Sequence, residues 1–185
     1  TEQALEENII TVTNTWNDET ISLSFNKSWD DLNNKYHTRP EQITFEIVNK
    51  ATEELIKEVT VSKENYEGKI VITDLPKYDK YGQEIEYLVK EQAVLGYETV
   101  QDEKSLDFEN KLILEGDQIT ERTVKKTWDD QNDNDGIRPE KVRVYLTMKN
   151  EKGEFVRVDK GVVLEGPEWQ HTFKNLPKYA QGKEI

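Results

Sequence analysis

The sequence predicts an all-β chain of two tandem modules, each folded as a Greek-key sandwich or open barrel, and three observations carry that expectation. No stretch of the 185 residues holds a long apolar stripe at the helical period. Short runs of alternating apolar and polar residues recur instead, separated by turn signals such as Tyr66-Glu67-Gly68, Glu151-Lys152-Gly153 and Glu165-Gly166-Pro167. The chain also repeats itself. Lys27-Ser28-Trp29-Asp30-Asp31 returns as Lys126-Thr127-Trp128-Asp129-Asp130, 99 positions later, and Arg39-Pro40-Glu41 as Arg138-Pro139-Glu140 at the same offset. Leu75-Pro76-Lys77-Tyr78 returns as Leu176-Pro177-Lys178-Tyr179, 101 positions on, followed by Gly-x-Glu-Ile in both copies. Modules of roughly 95–100 residues follow from those offsets.

In chain order, the first copy gives strands over 21–27, 42–49, 56–61, 69–73, 86–91 and 105–112. Each alternates apolar with polar residues, as in Leu23 and Phe25, Tyr87 and Val89, or Leu106 and Phe108. The second copy gives strands over 121–127, 141–148, 154–163 and 168–173. At the start of the chain, Thr1-Glu2-Gln3-Ala4 resembles Lys90-Glu91-Gln92-Ala93, and Val12-Thr13-Asn14-Thr15 resembles Phe108-Glu109-Asn110-Lys111. The expected layout is therefore closing strands of a preceding or permuted module over 1–16, a complete module over 17–115, and a second module over 116–185 that lacks its closing strands.

Composition narrows the partners. With 25 basic and 38 acidic side chains the formal charge is −13, which repels nucleic-acid phosphate and anionic membranes. No apolar run approaches membrane-spanning length and no signal-peptide pattern is present. With no cysteine, neither a disulfide nor a thiolate-bound metal is available.

Strand parity then singles out three kinds of polar residue on apolar faces, a lysine, a glutamate and an asparagine. Lys27 shares the face of Leu23, Phe25 and Trp29, and Lys126 that of Val124 and Trp128. Glu91 shares the face of Tyr87 and Val89, and Asn110 that of Leu106 and Phe108; near the start, Asn14 shares the face of Ile10 and Val12. Burial disfavours charge, so a lysine there tends toward the neutral amine and a glutamate toward the protonated acid. A neutral amine is a nucleophile, and a protonated carboxyl can polarise an asparagine carbonyl and shuttle protons. Attack with loss of ammonia gives a lysine–asparagine isopeptide bond. Trp29 and Trp128 read as core and pocket wall. The acidic run from Asp129 to Gly136 lacks the late glutamate of a calcium loop and reads as a solvated turn, so no metal is expected. His37 and His171 have no counterpart in the other copy, and no catalytic Ser–His–Asp order is visible.

The Lys-x-Trp-Asp-Asp run, the Arg-Pro-Glu, the Leu-Pro-Lys-Tyr followed by Gly-x-Glu-Ile-Glu-Tyr-x-Val-x-Glu, and the terminal Asn-Lys together resemble the B-type repeats of Gram-positive collagen adhesins. The resemblance covers nearly the whole chain. It implies reverse immunoglobulin-like sandwiches with spontaneous internal isopeptide bonds, arrayed as stalks on the bacterial surface. Carried over by motif, Lys27 would link to Asn110 with Glu91 as catalyst. Lys126 would be the second lysine; its own glutamate and asparagine are expected beyond Ile185, and Glu2 and Asn14 are the residues of this chain that match those roles. The implied function is a structural spacer, with no turnover enzyme and no cofactor, located outside the cell and anchored to the wall through regions outside this chain. Its partners would be neighbouring modules, with host extracellular-matrix protein bound through other regions. The alternatives are a module that itself binds a host matrix protein, or strand exchange between copies that joins Lys126 to Asn14 in trans.

Overall fold

The computed structural model describes residues 19–102, 104–150 and 152–185. The first module consists of β1 (Thr20–Asp30), β2 (Gln42–Asn49), β3 (Leu55–Ser62), β4 (Gly68–Pro76), β5 (Tyr87–Glu91), β6 (Tyr97–Gln101) and β7 (Phe108–Leu112). They form two sheets, one in the order β4-β1-β7-β6 and one in the order β3-β2-β5. Alternation decides which side chains face inward. Along β1, Phe25 and Lys27 are buried while Ser24, Asn26 and Ser28 are exposed, as a two-residue period requires. The core forms where the sheets meet: Phe25 and Phe108 from one sheet pack edge-on against Phe45 of the other, with ring centroids 4.9–5.3 Å apart. Ile47, Ile72, Leu75 and Val89 complete it.

The first and last strands of this module are neighbours. β1 and β7 run parallel, with Lys27 opposite Phe108 and Trp29 opposite Asn110. Lys27 and Asn110 therefore stand two positions apart on one face of adjacent strands, within reach of long side chains.

The second module holds β8 (Ile119–Lys125), β9 (Lys141–Val144), β10 (Thr147–Lys149), β11 (Phe155–Arg157), β12 (Val162–Glu165), β13 (Gln170–Pro177), β14 (Tyr179–Ala180) and β15 (Lys183–Glu184). The repeat read from the sequence is also a repeat of register. Ile21 pairs with Leu75 in β1–β4 and Thr120 with Leu176 in β8–β13, and each ladder slips near that Leu-Pro pair. The expected strands over 141–148 and 154–163 are each broken in two. Asp159 causes this by accepting the Leu146 and Gly161 N–H groups on one oxygen, at 3.0 and 3.1 Å, which turns the chain out of both ladders.

One strand, β6, is absent from those expected above: it alternates in burial, but its inward residues Tyr97, Thr99 and Gln101 form no apolar stripe. The modules touch where Gln181 N–H donates to the Thr38 carbonyl at 2.9 Å. Beside that bond Gly96, at φ +85°, would place a Cβ 3.3 Å from Tyr179 Cβ. Glycine meets both demands.

Candidate functional site

Lys27, Glu91 and Asn110 meet between the two sheets of the first module. β1 supplies the lysine, β7 beside it the asparagine, and β5 of the facing sheet the glutamate. The side chains of Lys27 and Glu91 have no solvent exposure, and Asn110 has none either. Lys27 Nζ lies 3.9 Å from Glu91 Oε1, and Asn110 Nδ2 donates to that same oxygen at 3.0 Å. Amine, acid and amide thus converge on one carboxylate oxygen.

The surroundings disfavour charge on both ionisable groups. Burial pushes the Lys27 ammonium down from 10.5 to about 8, against the opposing pull of Glu91. Burial likewise raises Glu91 above the ordinary carboxylate range, though Lys27 and the Asn110 hydrogen bond act against it. Glu91 Oε2 is buried with no hydrogen-bond partner among the described residues. An unpaired buried oxygen is costly on a carboxylate and far cheaper on a neutral acid. Thr99 Oγ1 donates to Asn110 Oδ1 at 2.9 Å. A hydroxyl accepts as readily as it donates, so the amide also fits turned over, with Nδ2 on Thr99 and Oδ1 facing a protonated Glu91. That second arrangement polarises the carbonyl.

Around this group lies a second, unexpected one. Asp31, next on the inward face after Lys27 and Trp29, is 1% exposed. Its carboxylate takes a fork from Arg39, Nε to Oδ2 at 2.7 Å and Nη2 to Oδ1 at 3.0 Å, together with the Asn34 N–H and the Tyr97 hydroxyl. Burial works against its ionisation, but the Arg39 and Asn34 hydrogen bonds outweigh it and hold the carboxyl below its usual value. The loop after β1 thus begins on a buried acid, because parity along β1 carries on through position 31. Asp31→Ala is expected to destabilise the module by about 3 kcal/mol, since it leaves a mostly buried guanidinium with only the exposed Glu67 carboxylate, 2.8 Å from Nη1, as partner. Urea unfolding in an Asn110→Ala background checks this with no cross-link to mask the loss.

Trp29 is the wall between the two groups. Lys27 Nζ lies 4.3 Å from its ring centroid and Arg39 Cζ 5.2 Å. Tyr66 and Tyr97 pack on it at 5.0 Å each. The second module repeats the arrangement: Lys126 Nζ is 3.8 Å and Arg138 Cζ 5.5 Å from the Trp128 ring, Arg138 is forked onto Asp130, and Trp169 packs edge-on at 5.3 Å. Lys126 itself donates to the Thr127 carbonyl. Glu2 and Asn14, matched to it from the sequence, lie outside the described residues.

Sequence reading missed Thr99, Tyr97, Asp31 and Arg39 as members of the site. The repeated Arg-Pro-Glu and the parity of position 31 were available signals for two of them. Thr99 and Tyr97 sit on β6, whose inward face gave no apolar pattern.

A family model described as the Cna protein B-type domain matches residues 23–111 and 122–185. A collagen adhesin of Staphylococcus aureus is 36% identical over 175 residues, which is 94% of this chain and 14% of the adhesin. The chain thus spans a small part of that relative's length. Among solved structures, a single B repeat unit (B1) of the collagen binding surface protein of S. aureus aligns at 34% identity. It covers 90% of this chain and 82% of its own, with a TM-score of 0.45. The two-repeat B1B2 unit of the same protein aligns at 33% identity over 92% of this chain and 42% of its own, with a TM-score of 0.46.

Proposed function

Because the chain belongs to the Cna protein B-type domain family, we propose that it is a load-bearing stalk segment of a bacterial surface adhesin, closed in its first module by a Lys27–Asn110 isopeptide bond. Glu91 is the acid–base group. It takes a proton from the Lys27 ammonium, leaving a neutral amine beside a neutral acid. The amine attacks Asn110 Cγ, Glu91 gives its proton to the departing nitrogen, and the carboxylate then takes one from the attacking Nζ, which becomes the neutral amide nitrogen. The Cγ–Nδ2 bond breaks, the Nζ–Cγ bond remains, and one ammonia leaves. The reaction runs once per module, so the chain is structural and turns nothing over. The observation that carries this reading is the convergence of Lys27 Nζ and Asn110 Nδ2 on one oxygen of a fully buried Glu91. The acidic chain spaces other regions of its parent protein from the cell, and neighbouring modules are its direct partners. Lys126 is the corresponding amine of the second module, with its acid and amide supplied by other strands.

Intact-mass measurement tests this directly. The chain is expected to weigh one ammonia less than its sequence, with a peptide map joining Lys27 to Asn110. Lys27→Ala, Asn110→Ala and Glu91→Ala are each expected at full sequence mass. Wild-type protein at the unmodified mass ends the proposal for this module.

A further inference from the structure

The four-residue set around each tryptophan is not accounted for by the bond alone. Lys27, Trp29, Asp31 and Arg39 recur as Lys126, Trp128, Asp130 and Arg138 at one spacing and in one arrangement. In both copies the arginine forks onto the aspartate, and arginine and lysine both stand over the indole. The indole nitrogens of both tryptophans are buried with no acceptor among the described residues. Neither ring is therefore oriented by a hydrogen bond of its own. Its place is set by the cations and rings packed on it.

The second copy supplies an independent point. Within the described residues, β8 pairs with β13 alone and β9 with β12 alone, so no strand there occupies the positions that β7 and β5 take in the first module. The aspartate–arginine–tryptophan set is nonetheless assembled around Lys126. The set is thus a property of the lysine strand and the loop after it, and does not depend on the strands that bring asparagine and glutamate. That loop is built alike in both copies. Residues 32–34 and 131–133 all take left-handed backbone, and Asp31 and Asp130 accept the N–H of Asn34 and Asp133. Ordinary residues resist that conformation, so side chains must hold it.

We propose that Arg39, gripped by Asp31, is a positioning residue that fixes the Trp29 wall over the Lys27 amine and readies that amine for attack, an inference that rests on the Lys27–Asn110 link proposed above. Trp29 keeps water from the amine. The guanidinium adds a fixed positive charge close by, which disfavours a second positive charge on Lys27. The charged groups that act on Lys27 are Glu91 from β5, Glu109 from β7, and Arg39 and Asp31 from the segment after β1. The three carboxylates favour the ammonium and Arg39 alone opposes it. Neutralising Arg39 therefore favours the protonated lysine. The aspartate is needed to keep the guanidinium folded inward, and on the surface of the indole, while the closing strands arrive.

The test is the rate of ammonia loss against pH, followed by intact mass after chain recovered unfolded is diluted into refolding buffer. Folding of each variant is checked by circular dichroism. Arg39→Gln is expected to link at least tenfold more slowly, with the alkaline limb of its profile moved to higher pH. Arg39→Lys keeps the charge and loses the fork, and is expected to link more slowly with the limb in place. A purely structural role for the pair would lower stability and leave the limb where it is. Wild-type rate and wild-type limb in folded Arg39→Gln overturn the inference, as does an unchanged rate in Arg39→Lys if the glutamine variant does not fold. Absence of linking in the wild-type chain would instead remove the reading on which this one rests.

Discussion

Pulled from its two ends, the first module is expected to show no extension between Lys27 and Asn110, whereas Lys27→Met is expected to release on the order of 300 Å of chain in one step. The topology sets this contrast. β1 and β7 are adjacent and parallel, so force applied at the start of one and the end of the other shears their shared ladder. With the bond in place, load enters along β1, crosses from Lys27 to Asn110 through covalent bonds, and leaves along β7. The 82 residues between them carry none of it. Methionine keeps the length and bulk of the lysine stem without its charge, so the variant tests the link with the packing nearly intact. The same change acts on equilibrium stability. Closing a loop of this length removes unfolded-chain entropy worth about 4.5 kcal/mol on the relation used for disulfides. For a domain of this size that amounts to a fall in Tm on the order of 20 °C or more in the variant. Single-molecule extension and a thermal melt read the two effects separately. Equal force curves and equal melts for wild type and Lys27→Met would show that no covalent path exists.

Much of the site was legible because a strand obeys a strict period of two. Once Phe25 was read as inward, Lys27 had to follow, and the same rule took Phe108 to Asn110 and Val89 to Glu91. All three side chains are buried where parity put them. Repeat spacing carried the architecture in the same way, since Leu75 and Leu176 hold equivalent places in equivalent ladders. The rule failed on β6 for a physical reason. Its inward residues are Tyr97, Thr99 and Gln101, while Val100 points out and is 40% exposed. Thr99 is turned inward to donate to Asn110 and Gln101 to donate to the Val89 carbonyl. A strand whose inner face is polar because it serves a polar site carries no apolar stripe to detect. Asp31 was not singled out from the sequence, because its burial depends on Arg39, eight positions away and across the turn. The broken ladders of the second module depend likewise on Asp159, a long-range contact that no local pattern announces.

Glu91→Gln separates chemistry from packing most cleanly. Glutamine fills the same space and can still accept the Asn110 N–H, so the fold is expected to survive. It cannot take the Lys27 proton or return one to the leaving nitrogen. Proton transfer by a placed side chain contributes about 10²–10⁴-fold, and linking is expected to slow by at least that factor, leaving protein at full sequence mass. The wild-type profile should carry the same signature. The reactive pair, neutral lysine with neutral glutamic acid, holds as many protons as the ion pair from which it arises, so the rate is greatest where one proton is shared between the two. Above about pH 8 the lysine loses its proton with Glu91 ionised, and no acid remains to release ammonia. Toward low pH both groups are protonated and no nucleophile remains. Because burial raises Glu91, that acid limb begins above the ordinary carboxylate range. The signs also fix how the unlinked fold responds in Asn110→Ala, which retains both groups. Its buried lysine titrates near 8 when folded and near 10.5 when unfolded, so stability rises with pH across that window, by about 3 kcal/mol in all. Its buried glutamate has the opposite sign and costs stability as pH climbs from the ordinary carboxylate value through its raised one. Urea unfolding of Asn110→Ala across pH and the linking rate of the wild-type chain should therefore share one alkaline limb. A rate that keeps rising past pH 9, with no trace of that limb in the stability curve, would place the lysine in water and Glu91 outside the reaction.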